Sequence, residues 1–102
     1  SLWRLNQILP RAISFDAELW RTADTNEQDN PRCLMQRDLE QNHLKLGMTK
    51  AEVAALLGEL EEREQTTSYY LGFCSPFGVD AVALGLEFGS DDKLSRIYDI
   101  QY

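Results

Sequence analysis

Leu46-Gly47-Met48-Thr49-Lys50-Ala51-Glu52-Val53-Ala54-Ala55-Leu56-Leu57-Gly58 carries, in one short window, the signals of a helix with defined ends. Thr49 and Glu52 have the spacing of a capping box, in which the Thr hydroxyl accepts from the N3 amide and the Glu carboxylate accepts from the N-cap amide. Met48 before the cap and Val53 at the fourth helical position have the spacing of a hydrophobic staple. Gly58 supplies the stop, and Gly47, with no Cβ, suits a left-handed turn out of the preceding segment. Inside, Val53, Leu56 and Leu57 form an i, i+3, i+4 apolar stripe, while Ala51, Ala54 and Ala55 favour helix and let a neighbour approach closely. A helix this short is marginal alone in water, so its stability must come from packing.

The surface for it to pack on is written downstream, where helical period gives way to alternation. Ala81 to Phe88 is the clearest strand, with Val82, Leu84, Leu86 and Phe88 on one face and Ala81, Ala83, Gly85 and Glu87 on the other. Burying the four large side chains contributes on the order of 6–10 kcal/mol of gross transfer free energy before entropy is charged against it. Thr66 to Leu71 is rich in β-branched and aromatic residues and reads as a strand ending at Gly72. Leu94 to Tyr102 reads as the last strand, placing Leu94, Arg96, Tyr98 and Ile100 on one face and Ile97 on the other. Phe73-Cys74-Ser75-Pro76-Phe77-Gly78 and Gly89-Ser90-Asp91-Asp92 are the connecting turns. The acidic cluster Glu59-Leu60-Glu61-Glu62-Arg63-Glu64 is a solvated turn or a strand edge.

Upstream, Asp16 caps a short helix with Leu19 and Trp20 on one side, and Arg21 to Asn30 is a polar loop. Asn30-Pro31 starts the next helix, because Pro at the first helical position lacks an amide hydrogen that has no helical partner there anyway. It runs to His43 with Leu34, Met35 and Leu39 inward, and Arg32, Gln36, Arg37, Glu40 and Gln41 toward solvent. Before these, Leu2, Leu5, Ile8 and Leu9 recur at helical spacing beside Trp3, an arm that docks its apolar side on the body and ends at Pro10. The pattern predicts a single α+β domain: helices over Asp16–Arg21, Pro31–His43 and Thr49–Leu57 on one face of a three- to four-stranded antiparallel sheet, in chain order ααβββ. Residues 1–14 form the N-terminal arm, 15–58 the helical part and 59–102 the sheet.

Composition narrows the function classes. The net charge is −7 with only 10 basic residues, which are scattered, so a nucleic-acid surface or an acidic membrane surface is not expected. No run of about eighteen apolar residues occurs, so no transmembrane helix is expected. Cys33, Cys74 and His43 are too few for a structural zinc site. Cys33 and His43 stand about 15 Å apart along one helix, which rules out a nucleophile pair. His43, near a helix C-terminus, reads as a dipole partner. The two cysteines either form a disulfide between the helix and the loop after the first long strand, or remain free thiols with Cys33 in the core; we prefer the free thiols. Carboxylates cluster locally without a pocket signature, and no phosphate loop or Gly-x-Ser-x-Gly elbow occurs. We therefore expect no enzyme activity, metal or cofactor. What remains is a contact surface for a protein partner: Tyr69, Tyr70, Phe73 and Phe77 surround the first long hairpin, with Phe73 and Phe77 exposed in its loop.

Gly47-Met48-Thr49, Glu52-Val53, Leu56-Leu57-Gly58, then Tyr69-Tyr70-Leu71-Gly72 and the strand Val82 to Phe88 resemble the small bacterial envelope proteins of the SmpA/OmlA (BamE-like) type. The resemblance covers the second half to two-thirds of the chain. It implies the β-lactamase-inhibitor-protein-like fold, two short helices packed on a small antiparallel sheet. It also implies a non-enzymatic interaction module on the periplasmic side of the envelope, with any targeting segment outside this chain. An inhibitor-like or small-ligand-binding module is the alternative on the same fold, with a small enzyme behind it.

Overall fold

The computed structural model describes residues 11–63, 66–75 and 80–102. The expected arm over Leu2, Leu5, Ile8 and Leu9, and the turn residues Pro76, Phe77 and Gly78, lie outside the described residues. Among those described, three α-helices precede four strands: α1 Ala17–Thr22, α2 Pro31–Asp38, α3 Lys50–Leu57, β1 Glu61–Arg63, β2 Thr66–Phe73, β3 Ala81–Phe88 and β4 Leu94–Gln101. The strands form one antiparallel sheet in the order β1-β2-β3-β4. The α+β class and the helices-before-strands order are those the sequence predicts, and the acidic cluster supplies β1 as the fourth strand.

Each helix begins at the cap written for it. In α3 the Thr49 hydroxyl accepts from the Glu52 amide at 3.1 Å and the Glu52 carboxylate accepts from the Thr49 amide at 3.1 Å. Those two bonds satisfy donors that the helix itself leaves unpaired, and the Thr49 amide, joined by the Thr49 hydroxyl, donates to the Glu52 carboxylate and holds it below its usual range. Gly47 and Gly58 take φ +96° and +92°, as the turn and stop positions require. Asp16 caps α1 by accepting from Glu18 and Leu19. Asn30 caps α2 through its Oδ1, accepting from the Arg32 amide at 2.9 Å, while its Nδ2 donates to the Leu71 carbonyl at 2.7 Å. One buried side chain thus starts a helix and seals a strand.

Three expectations are corrected. First, the α-helix stops at Asp38, and Leu39–His43 is a π turn closed by the Leu44 amide on the Leu39 carbonyl at 2.8 Å. Five residues of α-helix would turn Leu44 about 140° away from Leu39. The wider turn returns both to the core, where they are 0% and 3% exposed. The Asp38 carboxylate pins this corner by accepting from the Phe15 amide at 2.7 Å and from Asn42 Nδ2 at 2.7 Å, and by bonding His43 Nε2 at 3.1 Å. Those bonds, the Phe15 amide first, hold its carboxyl below the usual range.

Second, Cys33 and Cys74 are joined in a disulfide, with Cα atoms 5.5 Å apart. The pairing shifts register between Tyr70 and Gly72, and Gly72 takes φ +90°. A Cβ there would collide with the Thr25 carbonyl oxygen, so only glycine lets β2 run this close to the loop before α2. That approach carries Cys74 to α2. Third, β4 holds an extra residue: Phe88 pairs with Leu94 but Glu87 with Arg96, leaving Ser95 over. One added residue inverts the alternation that follows. Leu94 and Ile97 therefore both join the core cluster, and Arg96, Tyr98 and Ile100 turn to the opposite face.

On the inner face of the sheet, Tyr69, Leu71, Val82, Leu84, Leu86 and Leu94 meet Trp20, Met35, Leu39, Val53 and Leu57 from the helical side in one buried cluster. The foot of α3 is also tied to β4. The Gly47 amide donates to the Leu94 carbonyl at 2.8 Å, and the Leu94 amide donates to the Met48 carbonyl at 2.7 Å.

Candidate interaction surface

The outer face of the sheet follows from the register. Down its centre β3 presents Ala81, Ala83 and Gly85. On one side these pair with Phe73, Tyr70 and Ser68 of β2, and on the other Ala83 and Gly85 pair with Ile100 and Tyr98 of β4. Small residues in the middle row let the larger neighbours lean inward. The Tyr98 ring lies across Gly85, where a Cβ would stand 2.5 Å from two ring carbons. Tyr70 and Tyr102 meet with ring centroids 6.5 Å apart and planes tilted by 50°. Ala83, flanked by Tyr70 and Ile100, is 1% exposed on the side away from the helices. The central strand is thus covered by helices on one face and by side chains of its own sheet on the other.

Charge on this face is arranged around the rings. Arg96 Nε donates to Glu87 Oε2 at 2.6 Å, and the guanidinium stands 4.3 Å from the Tyr98 ring centroid. Nearby, Glu61, Glu62, Ser68, Tyr70 and Tyr102 line a cleft of about 360 Å³. A second cleft, of about 490 Å³, runs past Lys50, Glu62, Glu87 and Arg96. Its charges are matched, since Lys50 Nζ lies 3.4 Å from Glu62 and 3.8 Å from Asp92 and Arg96 holds Glu87. A third, of about 250 Å³, lies between α2 and Ser75. There the Asp29 carboxylate is occupied by the Ser75 amide at 2.6 Å and hydroxyl at 2.9 Å.

The residues predicted for partner contact separate. Tyr69 is a correction: it is 1% exposed, its ring sits edge-on to Trp20 at 6.2 Å, and its hydroxyl donates to the Gly58 carbonyl at 2.9 Å. Burial pushes that phenol up to about 12, and the nearby Glu61 charge adds to the shift. Adjacent strand residues point to opposite faces, so Tyr69 inside puts Tyr70 outside. Phe73 is a second correction, being the half-buried last residue of β2 rather than part of the loop. Phe77 lies outside the described residues. Tyr98 and Tyr102 join Tyr70 instead, and Tyr102 is 67% exposed. Period-two alternation places Tyr98 two residues from Ile100, but a shared face with Tyr70 follows only from the strand pairing.

The sheet edges are closed in different ways. Beyond the three-residue β1, the carbonyls of Tyr70, Leu71 and Phe73 accept from Arg32 Nη1 at 2.8 Å, Asn30 Nδ2 at 2.7 Å and the Asp29 amide at 2.9 Å. Arg32, expected toward solvent, is half-buried with its guanidinium 4.8 Å from the Trp20 ring centroid. Desolvation lowers its pKa, with the Glu61 charge opposing. On the far edge, Gln36 Nε2 donates to Asp99 on β4 at 2.7 Å. An inward-turned charge of this kind discourages edge-to-edge pairing with another sheet.

His43, engaged with Asp38, also packs its ring 5.1 Å from Phe15. Among the described residues no helix is long and apolar enough to cross a membrane. Comparison with family models, curated proteins and solved structures finds no match to this chain.

Proposed function

We propose that this protein is a non-catalytic protein-interaction module that works on the periplasmic side of a bacterial envelope, as its resemblance to the SmpA/OmlA proteins implies. Its contact surface is the outer face of the sheet. The observation that carries this reading is the gathering of Tyr70, Tyr98 and Tyr102 on the face opposite the helices. Tyrosine offers large contact area with few rotatable bonds to immobilise, which is why it is favoured as an interface anchor. The Cys33–Cys74 bridge supports the compartment, because disulfides persist where the medium is oxidising and are reduced in the cytosol. A non-catalytic role is supported by the clefts beside Lys50 and beside Asp29, whose polar groups are engaged with one another.

The test is affinity capture from an envelope fraction by the wild-type protein and by a Tyr70→Ala/Tyr102→Ala variant shown to be folded by circular dichroism. The wild type is expected to retain a partner that the variant releases. Equal retention by both would remove the outer face from consideration.

A further inference from the structure

Resting on that reading of the outer face, we infer that the cleft between Glu61, Ser68, Tyr70 and Tyr102 receives an arginine side chain from the partner protein. The protein supplies its own template for this contact. On the same face Glu87, Arg96 and Tyr98 form a carboxylate–guanidinium–ring set, with the ion pair at 2.6 Å and the cation 4.3 Å from the ring centroid. A second guanidinium, that of Arg32, lies 4.8 Å from the Trp20 ring. The neighbouring cleft repeats the acceptor half of the arrangement. Glu61 pairs directly across from Ser68, and Tyr70 follows two residues along on the same face, so a carboxylate and a ring stand side by side. Tyr102 meets Tyr70 at 6.5 Å and extends the ring surface. Lysine and arginine are absent from the described residues lining the cleft.

Charge and shape both select arginine. A chain of net charge −7 attracts a basic partner, and here the attraction is focused beside two π-faces. Glu62 shares its charge with Lys50, so Glu61, whose charge also acts on Arg32, is the carboxylate on the ring face. A guanidinium is planar, so it stacks on a tyrosine face while its edge donates two parallel hydrogen bonds to a carboxylate. An ammonium is a point charge with no flat face and makes one of these contacts at the expense of the other.

The probe is the capped peptide acetyl-Gly-Gly-Arg-Gly-Gly-amide, titrated into the full chain while the ring resonances of Tyr70 and Tyr102 are followed by NMR. The same peptide with citrulline, the neutral isostere of arginine, is the control. The arginine peptide is expected to shift both rings with a dissociation constant around 1 mM, and the citrulline peptide to bind about tenfold more weakly. Glu61→Gln, an exposed edge substitution that leaves both rings in place, is expected to lose a similar factor. Raising ionic strength from about 0.1 M to about 1 M weakens the arginine peptide selectively. The inference is overturned if neither ring responds, if citrulline binds as well as arginine, or if Glu61→Gln binds unchanged. Equal binding of the two peptides that is lost in Tyr102→Ala would remove the arginine and leave the tyrosine face standing as an interaction surface.

Discussion

Tyr69 and Tyr70 are neighbours in the chain with opposite fates, and the phenol of Tyr69 makes the difference measurable. Its ring is buried against Trp20, and that burial, with the Glu61 charge nearby, favours the neutral form and raises the pKa to about 12. An unfolded chain ionises the same phenol near pH 10. A raised folded-state value for an acid means that its contribution to stability is complete below about pH 10 and is lost as pH rises toward 12. In a phenolate absorbance titration, Tyr69→Phe is therefore expected to remove a component that ionises near pH 12. An unchanged titration curve would mean that Tyr69 is not held in the core. The sequence shows that two adjacent aromatics in a strand must face opposite ways. It does not show which one faces in, because that depends on which face the helices cover.

At the scale of elements, the parts legible from sequence are those whose causes are local. The three caps at Asp16, Asn30 and Thr49 act within three residues of themselves, and each helix starts where its cap predicts. Replacing Thr49 by Ala is expected to lower stability to urea by about 1 kcal/mol, because the Glu52 amide at the start of α3 loses its partner and the Glu52 carboxylate loses the Thr49 hydroxyl. No change in the urea midpoint would mean that the box does not contribute. The departures are single-residue irregularities: the π turn at Leu39–His43, the extra residue near Leu71 and the extra Ser95. Each is favoured by a distant contact, such as Phe15 with Asp38 or Asn30 with Leu71, that no local window contains. Their consequences are large because alternation amplifies them. The surplus Ser95 alone moves Leu94 to the core side and gathers Arg96, Tyr98 and Ile100 on the face with Tyr70.

For the whole molecule, the disulfide is a covalent link between α2 and the residue that follows β2. It spans a separation of 41 residues, and closing a loop of that length stabilises the folded chain by about 4 kcal/mol in the chain-entropy account. Reduction is expected to move the urea midpoint down by that equivalent, and a Cys33→Ala/Cys74→Ala variant should match the reduced protein. Insensitivity to reductant would mean that the helical half is already held by its other contacts. Spacing could not choose between bridge and free thiols, because the choice depends on Gly72 bringing the end of β2 against the loop that precedes α2. The bond between the foot of α3 and Leu94 bears on how the protein is made. Synthesis runs from N to C, so α3 and β3 leave the ribosome before Leu94 and Ile97 exist to close over them. Until β4 has emerged, Leu84 and Leu86 lack their neighbours on that strand, so native closure follows its arrival.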